Sequence, residues 1–307
     1  MNVLIYGAGI QGSFLAHSLN KGMNHVTLLA RGKKKDKLIT DGLVLQHTLQ
    51  RKQTKDQLRV IDTLKADDHY DIIFVTMKYS DFPQVIDSLA RNSSSLIVFV
   101  GNQVNPAALA AELQKKSLEK KEILFGFQMT GGTNTSNGTT VLHFGKGKMK
   151  IGSISSSFTA TKRLDTLFAK TDYSWQYEAQ MVDWLESHAL LIMIQNSYEY
   201  VYSAAPKKEK TRSQLDQLAQ AMKEAVAVMD HAQIEILPKK QKYLFSHPAL
   251  TKSLFTIYYQ LPISQMVQGD FKEVYYLIRT FMQYSLEKQP TLKELLTQAK
   301  EKYEATI

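Results

Sequence analysis

Near the start of the chain, Gly7-Ala8-Gly9-Ile10-Gln11-Gly12 spells G-x-G-x-x-G. It stands directly behind the apolar run Asn2-Val3-Leu4-Ile5-Tyr6 and ahead of a helix-capable stretch, Ser13 to Lys21. The chemistry such a segment performs is anion recognition. The first glycine permits a tight turn, the second lets backbone approach a diphosphate, and the third lets helix pack close on strand. The helix start then presents free N–H groups and the positive end of its dipole to the phosphates. A βα turn that merely needs glycines has the same letters, but the strand before and the helix after favour the dinucleotide reading.

The next run, His25-Val26-Thr27-Leu28-Leu29-Ala30, reads as a second strand, and its end selects between dinucleotides. An acid there would take a ribose 2′-hydroxyl. The chain instead has Arg31-Gly32-Lys33-Lys34-Lys35, with no acid until Asp36. A guanidinium grips a 2′-phosphate in two-pronged fashion, whereas a carboxylate repels it. The expected cofactor is therefore NADP(H), with Arg31 on the phosphate and Lys34 and Lys35 on a solvated turn. Two further residues close apolar strands, where ligands of such sheets bind: Lys78 after Asp71 to Met77, and Asn102 after Leu96 to Gly101. A lysine there offers a cation to phosphate or carboxylate, and an asparagine hydrogen-bonds a ribose or a substrate oxygen. Helix initiation and turn formation explain the same two residues without function.

The elements that must hold these groups alternate. Beyond the first two strands, Leu43–Leu49, Leu58–Thr63, Asp71–Thr76, Leu96–Val100 and Ile123–Phe127 read as strands, with the basic segment Gln50–Lys55 linking the first two of these. Ser80–Ala90, Ala107–Lys116 and Thr161–Lys170 read as helices. Thr139–Phe144 and Lys148–Gly152 read as an antiparallel pair around Gly145-Lys146-Gly147. The pattern is that of an α/β, doubly wound sheet. From about Glu178 glycine nearly vanishes and helical periodicity takes over. Leu215, Leu218, Ala219, Met222, Ala225, Val226 and Met229 form one apolar stripe. Thr211 with Gln214, and Thr291 with Glu294 after Pro290, have the spacing of capping boxes. The aromatic side chains Tyr258, Tyr259, Tyr275, Tyr276 and Phe281 read as core or dimer-contact residues, so a homodimer is among the expected partners. Two domains are expected, 1–172 and 173–307, packed closely with a cleft between them.

At this point the chain resembles the ketopantoate reductase (2-dehydropantoate 2-reductase) family. The resemblance rests on Gly7 to Gly12, Val26 to Gly32, Val75-Thr76-Met77-Lys78, Gly101-Asn102, His143-Phe144-Gly145, Ile151-Gly152 and Trp184-Leu185-Glu186-Ser187-His188. It implies a Rossmann domain followed by an all-α domain like the C-terminal domain of 6-phosphogluconate dehydrogenase. It also implies NADPH-dependent reduction of a 2-oxo acid or related carbonyl by hydride transfer at the cleft. By the same resemblance, Arg31 holds the 2′-phosphate, Lys78 lies near cofactor and substrate, Asn102 touches both, and Glu273 matches a contact residue of a later helix. The family's proton-donating lysine falls two residues after the position of Trp184, with asparagines four and eight residues beyond. This chain has Glu186, Leu190 and Ile194 there. That face cannot neutralise a carboxylate, which favours a less anionic or more apolar carbonyl. A replacement donor is sought in Glu186, or in His188, whose ordinary pKa of about 6.5 suits proton transfer near neutrality. The alternative function is a non-catalytic NADP(H)-binding sensor or scaffold.

Composition bounds the rest. The chain has 307 residues, 44% of them hydrophobic, and no cysteine, so disulfides and thiolate metal sites are excluded. No leader-like segment precedes the first strand, and the longest strongly apolar run, Ala189 to Ile194, is far too short for a membrane span. A cytoplasmic protein with no membrane partner is expected. The net charge of +9 is spread among interleaved acids, as in Leu118-Glu119-Lys120-Lys121-Glu122, so nucleic acid is not an expected partner.

Overall fold

A computed structural model describes residues 1–135, 138–155, 158–204, 206, 209–262, 264 and 270–307. Its contacts divide the chain into two units. The first comprises Met1–Gly101 and Asn105–Met181, and the second Asn102–Val104 and Val182–Ile307.

The first unit is built on an eight-stranded sheet. Its strands are β1 (Asn2–Tyr6), β2 (His25–Leu29), β5 (Arg59–Ile61), β6 (Ile72–Val75), β7 (Leu96–Val100), β8 (Glu122–Gln128), β11 (Lys148–Ser153) and β12 (Ser174–Tyr177). They lie in the order β12-β11-β8-β7-β6-β1-β2-β5. The strands from β5 to β8 pair in parallel, and β11 is antiparallel to β8. Val3, Leu4, Ile5, the whole of β6 and the whole of β7 are fully buried. Such unbroken apolar runs follow from a parallel sheet covered on both faces. The covering helices are α1 (Ile10–Lys21), α2 (Gly32–Asp41), α3 (Ile86–Arg91), α4 (Pro106–Lys116) and α5 (Thr161–Phe168). Phe14, Leu15 and Leu19 of α1 and Leu164, Leu167 and Phe168 of α5 join the sheet in one core.

Four sequence expectations change in this unit. The basic linker Gln50–Lys55 is largely strand: β4 (Lys52–Asp56) pairs antiparallel with β3 (Leu43–His47). An exposed outer strand can be wholly polar, so periodicity did not mark it. Thr139–Phe144 and Lys148–Gly152 do not pair with each other. β10 (Gly138–His143) joins β3 and β9 (Thr130–Thr135) in a second, four-stranded sheet, while β11 joins β8 and β12. The glycine turn at 145–147 therefore carries the chain from one sheet to the other. Ser80–Ala90 is not one helix. A 3₁₀ segment, Tyr79–Val85, precedes α3, because Pro83 lacks the N–H an α-helix interior requires. The unit also continues past the expected residue 172 to Met181, since β12 pairs with β11.

The second unit is helical: α6 (Met181–Val201), α7 (Arg212–His231), α8 (Lys239–Ser246), α9 (Pro248–Gln260), α10 (Phe271–Phe281) and α11 (Pro290–Glu304) among the described residues. α7 packs against α8, α9 and α11 through the expected stripe, every member of which is buried. Thr211 forms the expected capping box with Gln214. Thr291 does not cap α11: Gln289 holds the cap position, and the carboxylate of Glu224, from α7, accepts from Leu292 N at 2.8 Å. A tertiary acceptor has taken the place of the local one. Of the expected core aromatics, Tyr259, Tyr275 and Phe281 are buried, whereas Tyr276 is exposed.

Candidate functional site

The turn between β1 and α1 is fixed by contacts that explain two of its three glycines. Gly7 has φ +120°, and a Cβ on it would lie 2.8 Å from the Thr76 carbonyl oxygen. A Cβ on Gly12 would lie 2.0 Å from the Gly7 carbonyl oxygen and 2.3 Å from Thr76 Oγ1. Thr76, at the end of β6, donates its hydroxyl to that same Gly7 carbonyl at 2.9 Å. Among the described residues, and apart from its own chain neighbours, nothing lies within 4 Å of a Cβ on Gly9, whose φ of −74° suits any residue. The fold thus demands glycine at 7 and 12 but not at 9. Gly9 faces open space at the helix start, where a bound group can come up against backbone. α1 has no side-chain N-cap, and Ser13 N is the first amide seen to bond back, to Gly9 O at 2.9 Å. The four N–H groups of Gly9, Ile10, Gln11 and Gly12 are those a helix start leaves for an external acceptor.

Beside this turn lies a pocket of about 250 Å³ lined by Tyr6, Gly7, Ala8, Leu29, Ala30, Arg31, Lys34 and Met77. It opens at the carboxyl ends of β1 and β2, where ligands of doubly wound sheets bind. Arg31 caps α2, and its Nη2 donates to the Tyr6 hydroxyl at 3.0 Å. Lys34, expected on a solvated turn, instead lines the pocket half-buried and reaches Thr139 Oγ1 at 3.1 Å. Desolvation, with Lys37 nearby, lowers its pKa. Lys35 does follow expectation, with an exposed pair to Asp62 at 2.6 Å. The lining holds two basic side chains and no carboxylate.

The remaining candidates separate. Lys78 is exposed at the start of the 3₁₀ segment, its carbonyl accepting from Asp81 N at 2.9 Å. Asn102 and Glu273, far apart in sequence, meet in the second unit: Asn102 Nδ2 donates to Glu273 Oε1 at 3.3 Å. Glu273 stands in the first turn of α10, whose start is capped by Asp270. On α6, Glu186, Leu190 and Ile194 are all buried, at 8%, 3% and 0% exposure. The preceding residue pattern is anchored by Ser187, whose hydroxyl lies 3.3 Å from Leu237 N. Desolvation lowers the pKa of His188 to about 4, so its imidazole is neutral near pH 7. Asn196 uses its amide on Ile192 O at 2.8 Å within its own helix. Among the described residues no His, Cys, Asp or Glu group is arranged to hold a metal ion, and no helix is long and apolar enough to cross a membrane.

A family model described as ketopantoate reductase PanE/ApbA matches residues 3–156, half of the chain. The chain belongs to the ketopantoate reductase family. It therefore carries the oxidoreductase fold of that family, a Rossmann-type sheet followed by a helical region. No protein of curated function matches the sequence. Solved structures share the fold over nearly the full length. A D-mandelate dehydrogenase in ternary complex with NADH and anilino(oxo)acetate is 16% identical, with a TM-score of 0.72 over 98% of this chain and 99% of the other. A probable 2-dehydropantoate 2-reductase from Bacillus subtilis is 17% identical, with a TM-score of 0.69 and the same coverages. A ketopantoate reductase of this family from Ralstonia eutropha JMP134 is 15% identical, with a TM-score of 0.72, again over 98% and 99%.

Proposed function

We propose that the protein is an NADPH-dependent oxidoreductase that reduces a 2-oxo acid or related carbonyl. One observation carries the cofactor choice: the pocket at the ends of β1 and β2 contains Arg31 and Lys34 and no carboxylate. Two cations suit a 2′-phosphate, and the lack of an acid removes the partner that a 2′-hydroxyl would want. The glycine turn fits a diphosphate on independent grounds, since Gly9 is left open by the fold. The structurally similar D-mandelate dehydrogenase was solved with NADH, and a 2′-phosphate is the group by which NADPH differs from it.

When bound, the cofactor supplies the hydride; the chain supplies position and charge. Gly7 to Gly12 and the start of α1 hold the diphosphate, and Arg31 with Lys34 hold the 2′-phosphate. Lys78 is assigned to cofactor and substrate, and Asn102, oriented by Glu273, to substrate. Proton donation is assigned to Glu186 on α6 in preference to His188, whose imidazole is neutral near pH 7. The buried Glu186-Leu190-Ile194 face supports an apolar carbonyl over a strongly anionic one.

Calorimetric titration tests the cofactor, and NADPH oxidation against a panel of 2-oxo acids, aldehydes and imines tests the reaction. Tight NADPH binding with oxidation by at least one carbonyl is the expected result. A second reading, cofactor binding without turnover, is favoured by the lack of a cation on the α6 face and by the neutral His188. It predicts the same heat of binding and no oxidation with any member of the panel.

A further inference from the structure

Two buried side chains outside the glycine motif form a relay that ends on one carbonyl of the phosphate turn. Gln128, the last residue of β8, is 1% exposed, and its Nε2 donates to the Gln11 carbonyl oxygen at 2.8 Å. Its Oε1 accepts from the Tyr173 hydroxyl, also at 2.8 Å. The orientation of the amide follows from chemistry. A carbonyl offers only lone pairs, so Nε2 must face Gln11 and Oε1 must face the tyrosine. Tyr173 must then donate, which requires a neutral phenol, and burial raises its pKa. The ring itself is held on three sides. It stacks on Phe168 at 5.7 Å, meets Phe14 edge-on at 5.9 Å, and leaves no room for a Cβ at Gly147.

The target carbonyl belongs to the same peptide unit as the Gly12 N–H, one of the helix-start donors described above. A hydrogen bond to the oxygen of a peptide polarises the unit and strengthens its N–H as a donor. It also fixes the plane of the peptide and hence the direction of that N–H. We infer that Gln128, locked in one amide orientation by Tyr173, is a positioning residue that aims and polarises the Gln11–Gly12 peptide toward the diphosphate of the cofactor. The inference rests on the cofactor reading above. Neither residue lies in the glycine motif or beside it in sequence, and only the pairing of β8 in the sheet brings Gln128 to α1.

The test compares two ligands on the full chain by calorimetry: NADPH, and adenosine 2′-monophosphate, which keeps the adenosine and the 2′-phosphate but lacks the diphosphate. Gln128→Leu is expected to raise the NADPH dissociation constant about tenfold, because the Gly12 N–H loses its aim and its polarisation toward the diphosphate. Its affinity for adenosine 2′-monophosphate should stay within about twofold of wild type on the same argument. Tyr173→Phe frees the amide to turn and should weaken NADPH about threefold with the same selectivity. It also serves as the milder change if Gln128→Leu does not fold. Gln128→Glu should show NADPH affinity that rises more steeply than wild type as pH is lowered, because only a protonated carboxyl can donate to the Gln11 carbonyl. Equal weakening of both ligands would reveal a merely structural role and overturn the inference. So would wild-type NADPH affinity in Gln128→Leu. A wild-type chain that fails to bind NADPH overturns the cofactor reading itself, and the inference with it.

Discussion

Three glycines one turn apart have unlike reasons for being glycine, and substitution separates them. Gly12→Ala would drive a Cβ to 2.0 Å from the Gly7 carbonyl oxygen, a backbone atom that cannot swing aside, so the turn must open. A loss of about 2 kcal/mol or more, read as a lower thermal midpoint, is expected alongside lost NADPH binding. Gly9→Ala meets no atom within 4 Å and needs no unusual φ. It should keep its midpoint within a few degrees of wild type, the effect of roughly 0.5–1 kcal/mol at a helix cap. Its NADPH affinity should nevertheless fall at least about tenfold, because the methyl occupies space the diphosphate uses. A Gly9→Ala protein that binds NADPH as wild type would remove the diphosphate from this turn. Arg31→Ala and Lys34→Ala extend the argument to the neighbouring pocket. Each should raise the dissociation constant for NADPH about tenfold or more, the loss of a charge-assisted hydrogen bond. NADH binding should barely change, and equal losses for both cofactors would place these cations elsewhere than on the 2′-phosphate.

Among the elements, the two proposed capping boxes have identical local spacing and different outcomes. Thr211 accepts from Gln214 N at 3.2 Å while Gln214 reaches back to Thr211 N, so Thr211→Ala should cost about 1 kcal/mol. Thr291 caps nothing, because Glu224 already supplies the acceptor at the start of α11. Thr291→Ala should therefore stay within about 0.5 kcal/mol of wild type in urea unfolding, the range of an ordinary surface change. Glu224→Leu should cost more than either, since it strips the buried Leu292 N–H of its partner. The 3₁₀ segment before α3 belongs at this scale too. Pro83 lies inside it, and a residue without an N–H cannot make the i to i−4 bond of an α-helix.

Across the first unit, α1 and the second sheet meet over three buried histidines. His143 Nδ1 donates to Gly145 O at 3.1 Å, which leaves its Nε2 to accept from His47 Nδ1 at 2.9 Å. His47 Nε2 in turn accepts from Thr54 Oγ1 at 2.9 Å, and His17 Nδ1 meets the Asp56 carboxylate at 2.6 Å. Every ring nitrogen of His47 and His143 is satisfied in the neutral form, and a proton on His143 Nε2 would force His47 into its other tautomer and Thr54 from donor to acceptor. Desolvation first, then the charges of His17, His143, Lys52 and Lys21, lower the pKa of His47 to about 4. Desolvation also lowers that of His143. The unfolded chain titrates near 6.5 and so binds more protons than the folded one between pH 6.5 and about 4. Stability is therefore full above the unfolded pKa and is lost as pH falls through that window. His188 adds a loss of the same sign in the helical unit. Thermal midpoints measured from pH 7.5 to 4 should show this decline, and His47→Phe should flatten it; an unchanged slope would deny the histidines the role.

The strand, the glycine turn, the helix behind it and the basic end of the second strand were legible because each is local. A buried strand announces itself by composition, and a phosphate turn needs its glycines within six residues. The same locality let the family resemblance form, and it led to Asn102 and Glu273 as separate candidates without showing that they meet. Other features were out of reach of any window along the chain. Lys52–Asp56 became a strand because β3 was there to pair with it, and Lys34 turned from solvent toward the pocket because Thr139 lay within reach. Gln128 found the Gln11 carbonyl 117 residues away. The lowered pKa of His188 was likewise out of reach, since a pKa is set by the groups that surround an imidazole and exclude water from it. Sequence determines which chemistries are present, whereas packing alone decides which atoms are desolvated, partnered or left open to a ligand.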